Sequence, residues 1–116
     1  MTKILATLNG TWLAIYQEFE GKEVPLSEFE GQRLILQENT YSVVGAKMDE
    51  GIIKANGQNL DIYGTDGANK GRHYSAIYKI ENSYLTICYN LAGGAYPRDF
   101  KTEGSAQFFL SKFIRA

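Results

Sequence analysis

No stretch of this sequence keeps a helical period of 3.6 residues; eight short apolar–polar segments follow one another at regular spacing instead. Short segments of that kind, divided by turn signals, are the pattern of a β-sandwich or barrel. They run Thr11–Phe19, Gln32–Gln37, Thr40–Ala46, Gly51–Ala55, Asn59–Gly64, His73–Ile80, Tyr84–Asn90 and Ala106–Arg115. Turn chemistry at Glu38-Asn39, Asn56-Gly57-Gln58 and Asn82-Ser83 separates some of them. Glycines 21, 31, 64, 67, 71, 93, 94 and 104 mark the other breaks. The one helical candidate is Pro25–Glu30, where Pro25 suits a first turn and Ser27 a cap, and at most one short helical turn is expected there.

One pair of segments tests its own register. A two-residue turn at Asn82-Ser83 pairs Glu81 with Tyr84, Ile80 with Leu85, Tyr78 with Ile87 and Ala76 with Tyr89. Tyr74, Ala76, Tyr78, Ile80, Leu85, Ile87 and Tyr89 then share one face, as a core requires. Ser75, Lys79 and Thr86 take the other face, with Ile77 and Cys88 as apolar exceptions.

The fold class predicted is all-β: an eight-stranded antiparallel up-and-down barrel, one domain over residues 1–116. Even-numbered connections are turns of two or three residues, whereas the odd ones, Glu20–Gly31, Lys47–Glu50, Thr65–Arg72 and Leu91–Ser105, are longer. In an up-and-down barrel these two sets lie at opposite ends, which gives a closed base and a single mouth rimmed by long loops. The same parity puts Trp12 and Arg115 at the base, where the guanidinium is expected over the indole ring.

Composition narrows the function classes. Net charge is −1 with the charges interspersed, so no basic stripe argues for nucleic acid. A single cysteine allows no internal disulfide. No apolar run approaches the length of a membrane span, and Met1–Ala6 is too short for a signal peptide. As given, the chain reads as soluble and cytoplasmic, with a secreted form whose leader has been removed as the alternative. Nothing in the sequence fixes an oligomeric state.

Leu8-Asn9-Gly10-Thr11-Trp12, Gly21-Lys22-Glu23-Val24-Pro25, Ile77-Tyr78, Tyr84-Leu85-Thr86-Ile87-Cys88, Pro97-Arg98-Asp99-Phe100 and Lys112-Phe113-Ile114-Arg115 occur in that order along the chain. In their order and spacing they resemble a largely uncharacterised family of small bacterial lipocalin-like domains. The resemblance covers nearly the whole chain. It implies a lipocalin-like (calycin) barrel and no particular activity, catalytic residue or cofactor. Where that family carries an arginine before the proline of the last loop, this chain has Tyr96, and Arg98 is the nearest substitute.

Residues of types that carry chemistry mostly have plainer readings. His73 is the only histidine and has no neighbouring His or Cys to build a metal site; it is placed at the mouth as a rim residue. Cys88 faces Ile77 in the expected register, with no cation to activate a thiolate, and is read as packing. The acidic pairs Asp49-Glu50, Glu18/Glu20 and Glu28/Glu30 fall in or beside loops and are read as solvated. Thr65–Asn69 has the look of a calcium loop but lacks its later acidic ligand. Asn9-Gly10-Thr11 fits a glycosylation acceptor only in form. Gly93-Gly94 precedes no helix and is read as a hinge for the long loop rather than a phosphate cradle.

The aromatic set Phe29, Tyr89, Tyr96 and Phe100 is the remaining candidate, as a lining for the mouth together with Arg98 and His73. The expected function is therefore non-enzymatic: binding of a small apolar or aromatic ligand at the barrel mouth, with no cofactor or metal called for. The alternative is a protein-recognition module acting through the 91–105 loop, in the manner of a small barrel protease inhibitor. A cavity of several hundred cubic ångströms would favour the ligand, and a filled interior the protein partner.

Overall fold

Residues 6–45 and 48–116 are described by a computed structural model. Ala46, the last residue of the third expected segment, and Lys47 of the connection after it lie outside the described residues, as do residues 1–5. Among the described residues nine strands form: β1 (Gly10–Phe19), β2 (Lys22–Glu23), β3 (Arg33–Gln37), β4 (Thr40–Val44), β5 (Asp49–Asn56), β6 (Asn59–Gly67), β7 (His73–Glu81), β8 (Tyr84–Asn90) and β9 (Phe108–Arg115). Every pairing is antiparallel, and β9 returns to pair with β1 from Trp12–Arg115 to Phe19–Phe109. The sheet thus closes on itself as an eight-stranded, lipocalin-like barrel, with the two-residue β2 as a flap on the end of β1.

The eight expected segments all become strands, within three residues at each described end. The short even-numbered turns take left-handed backbone, which Gly57 (φ 62°) and Asn82 (51°) adopt readily and Glu38 (56°) and Ser83 (70°) are held in. The β7–β8 register is the one expected, from Glu81–Tyr84 to Ala76–Tyr89. The helical turn near Pro25 is a 3-10 turn over Leu26–Glu28. A second 3-10 turn, Ala6–Leu8, was not expected.

That second turn completes the base. Leu8 is buried, and its carbonyl accepts the Trp12 indole N–H at 2.9 Å. Arg115 lies over the Trp12 ring at 4.1 Å from the centroid and donates to the carbonyls of Thr7 and Asn9. Gly10 is required beside it: its φ is +129°, and an added Cβ would stand 2.5 Å from an Arg115 guanidinium nitrogen. The Gly-x-Trp sequence and the terminal arginine are therefore one device.

Above the base the inward residues pack as one core that includes Trp12, Leu36, Leu60, Ala76, Leu85, Ile87 and Phe113. A β-bulge between Ala14 and Tyr16 leaves Ile15 unpaired against β9 and shifts the alternation, so Gln17 is buried and Ile15 exposed.

The outer face of β7–β9 differs from the expectation. Ser75 and Thr86 are buried along with Ile77 and Cys88, whereas Ile80, assigned to the core, is 40% exposed at the end of its hairpin. The reason is the long connection, residues 91–107. It leaves β8 at the open end but folds back along the outside of the barrel. Phe100 and Phe108 pack there on an apolar cluster of Ile77, Cys88 and Leu110. Ser75 Oγ donates to the Gly94 carbonyl at 2.7 Å and Asn90 Nδ2 to that of Ala95 at 2.9 Å. Thr102, fully buried, accepts the Gly21 N–H at 2.8 Å and donates to Glu18.

Cys88 sits under this cover. Burial first, then the Asp99 and Glu18 carboxylates, push its thiol from an ordinary 9.0 up to about 11. The folded state keeps the proton to a higher pH than the unfolded chain does. The resulting stabilisation is full below the unfolded value and is lost as pH climbs toward the folded one. Native protein at about pH 8 is expected to react with a thiol reagent no faster than it unfolds. The urea midpoint is expected to fall from about pH 9 to about pH 11, with Cys88→Ala removing part of that fall. Rapid labelling of the folded protein would contradict the assignment.

Candidate functional site

The barrel interior is packed at the base and hollow toward the open end. The hollow measures about 300 Å³ and reaches Ala68, Asn69 and Leu91 on the long connections. Leu34, Val43, Ile53, Ile62, Ile87, Phe109 and Phe113 give it an apolar wall. Two polar groups interrupt that wall, on opposite sides of the barrel.

On the β1–β9 side, Gln17 Nε2 donates to Gln32 Oε1 at 2.8 Å and to Ser111 Oγ at 3.4 Å. The β1 bulge is what delivers Gln17 to the interior. On the other side the centre is Asp49, the first residue of β5. Asp49, Gly51, Ile53 and Ala55 alternate inward, and the Asp49 side chain is buried. Its Oδ2 accepts the Tyr41 hydroxyl at 3.0 Å and Asn69 Nδ2 at 2.8 Å, while Oδ1 accepts the Asn69 backbone N–H at 3.1 Å. Tyr74 donates its hydroxyl to Asn69 Oδ1 at 2.6 Å. Gly51, paired with Tyr41, leaves the space for this: a Cβ there would approach Tyr41 Cε1 to 2.8 Å and the Tyr63 carbonyl to 1.9 Å.

The carboxylate colours the rest of the chamber. Burial, with the Asp49 charge next, pushes the Tyr41 hydroxyl well above its ordinary range; the Asp49–Tyr41 hydrogen bond adds to this. The Tyr89 hydroxyl moves the same way, again through burial first and then Asp49. Among the described residues, no Lys, Arg or His lines the chamber.

The aromatic set expected to converge at the mouth does not converge. Tyr89 alone lines the chamber. Phe29 is buried in the main core, on the connection between β2 and β3. Phe100 packs outside the barrel, under the Lys79 ammonium at 4.6 Å from the ring centroid. Tyr96 and His73 meet at Asp61 on the outer wall, with His73 the first residue of β7 at the open end and outside the chamber. The Tyr96 hydroxyl donates to Asp61 Oδ2 at 2.6 Å, and His73 Nε2 lies 3.0 Å from Oδ1. The His73 ring stacks on Tyr63 with centroids 4.7 Å apart. Arg98 is exposed on the loop. The sequence reading assigned Asp49 to a solvated loop; the structure corrects that, since Asp49 is the buried hub of the interior polar network.

Among the described residues, no group of three His, Cys, Asp or Glu gathers to hold a metal ion. Nor is any described helix long and apolar enough to cross a membrane. What the geometry defines is a closed barrel with one apolar chamber and a small set of interior polar groups. Compared with protein-family models, curated proteins and solved structures, the chain matches none of them.

Proposed function

We propose that this protein is a non-enzymatic binding protein that holds one small, mainly apolar or aromatic molecule inside its barrel. The observation that carries the reading is the chamber itself: about 300 Å³ of hollow, apolar-walled interior in a fold that could have filled it with side chains. Ligand sites begin at about that volume and combine an apolar lining with a few placed polar groups. An eight-stranded barrel has room for one small ligand.

The alternative, protein recognition by the 91–105 loop, asks for a loop free to enter a partner's cleft. Here Tyr96, Phe100 and Thr102 are all engaged with the barrel wall, which favours the chamber. Propylbenzene, small and neutral, is a suitable probe. Titrated into the protein, it is expected to shift the amide resonances of Leu34, Ile53 and Ile87 saturably. Val43→Phe, which fills the chamber from its half-buried lining, is expected to weaken that binding at least about tenfold without loss of fold. Absence of saturable shifts, or shifts undiminished by Val43→Phe, would overturn the reading.

A further inference from the structure

Among the described residues, the one charged group lining the chamber is an acid, and no described base answers it. Asp49 is 8% exposed. All three of its hydrogen bonds come from neutral donors: one hydroxyl, one amide side chain and one backbone N–H. A carboxylate has about four acceptor positions. Among the described residues Oδ2 takes two donors and Oδ1 one, so Oδ1 has the capacity for a second. Three phenol rings, Tyr41, Tyr74 and Tyr89, line the same chamber, and the negative faces of such rings attract organic cations.

We infer that the molecule held in this chamber is an organic ammonium: an apolar or aromatic body with a protonated amine directed to Asp49 among Tyr41, Tyr74 and Tyr89. The inference rests on the chamber reading above and adds the charge of the ligand to it. A buried carboxylate without a cationic partner raises the negative potential of everything around it. An ammonium entering the hollow supplies the missing charge and a donor for the open Oδ1 position. A carboxylate ligand meets like charge with no described cation to offset it, and binds less tightly. The Asp49 network also fastens Asn69, hence the β6–β7 connection, through both carboxylate oxygens; an amide at residue 49 keeps one of these acceptors and loses the other.

The experiment compares three probes of similar size in the intact protein: 2-phenylethylamine, 3-phenylpropionate and propylbenzene. The ammonium is expected to bind at least about tenfold more tightly than the carboxylate, because the charge pair is shielded from solvent. Relative to propylbenzene, it is expected to shift the Asp49 and Asn69 amide resonances in addition to those of the apolar wall. In Asp49→Asn, which keeps a side-chain acceptor, the two charged probes are expected to bind within about twofold of each other. If Asp49→Asn does not fold, the parent protein still decides the matter through the ratio of the charged probes and the position of the extra shifts. Equal binding of ammonium and carboxylate, or ammonium shifts confined to the apolar wall, would overturn this inference and leave the chamber reading intact. Failure of propylbenzene to bind would instead count against the chamber reading itself.

Discussion

Trp12→Ala is expected to lower the free energy of unfolding by about 3–5 kcal/mol, the range for removing a large buried aromatic. The argument starts from position: Trp12 is 2% exposed at the base of the barrel, where β1 begins and β9 ends. Its ring belongs to the same buried cluster as Leu36, Leu60 and Leu85, so truncation leaves a cavity that surrounding strands cannot close without breaking the β1–β9 seam. The loss also frees the Leu8 carbonyl from its indole donor and leaves Arg115 without a ring to lie on. Arg115→Ala should cost less, on the order of 0.5–2 kcal/mol, since it removes the cation–π contact but not the buried ring. Urea unfolding measures both, and an unchanged m-value would show that the native fold survives. As the only tryptophan, Trp12 reports on itself: native emission should be that of a buried indole. Water-like emission, together with an unchanged melting temperature in Trp12→Ala, would contradict this account of the base.

How much of this was legible in the sequence depended on whether the signal was local. Turn residues and two-residue alternation belong to neighbouring positions, so the eight strands, the β7–β8 register and the closed base could be read directly. Asp49 was legible too, but only if β5 is started early enough. It stands two residues before Gly51 and four before Ile53, on the same inward parity. An acidic residue at a strand's start reads as loop by composition, and the alternation that contradicts it is a weaker signal than its charge. Gln17 was harder: the bulge at Ile15 moves it from the outer to the inner face, and no residue there announces a bulge. The path of residues 91–107 was the least legible. Strand parity places the ends of a connection and says nothing of which side of the wall it follows. The clue lay in the two apolar exceptions, Ile77 and Cys88. Adjacent outward apolar residues on paired strands need a cover, and the nearest long segment supplies it.

Shortening that segment by joining Gly94 to Gly104 is accordingly expected to destabilise the barrel by roughly 3–6 kcal/mol, the gain from burying about two large apolar side chains. If the loop only rimmed the mouth, the same deletion would leave the fold untouched. The deletion removes Phe100 from the outer cluster and returns parts of Ile77, Cys88 and Leu110 to water; these are now between 0% and 6% exposed. It also removes Thr102, so the Gly21 N–H loses its acceptor and Glu18 one of its two hydroxyl donors, that of Tyr16 remaining. Against a total stability of about 5–15 kcal/mol for a domain of this kind, that loss is large enough to unfold the protein at moderate temperature. A milder pair separates the contributions. Phe100→Ala should destabilise by about 1–3 kcal/mol, as a partly buried aromatic on an apolar cluster. Tyr96→Phe, which deletes only the bond to Asp61, should cost about 0.5–1.5 kcal/mol. Cys88 gives an independent readout, because a thiol reagent should reach it much faster once Phe100 is gone. A deletion variant with parental stability and a Cys88 still slow to label would mean that the outer face of β7–β9 needs no cover.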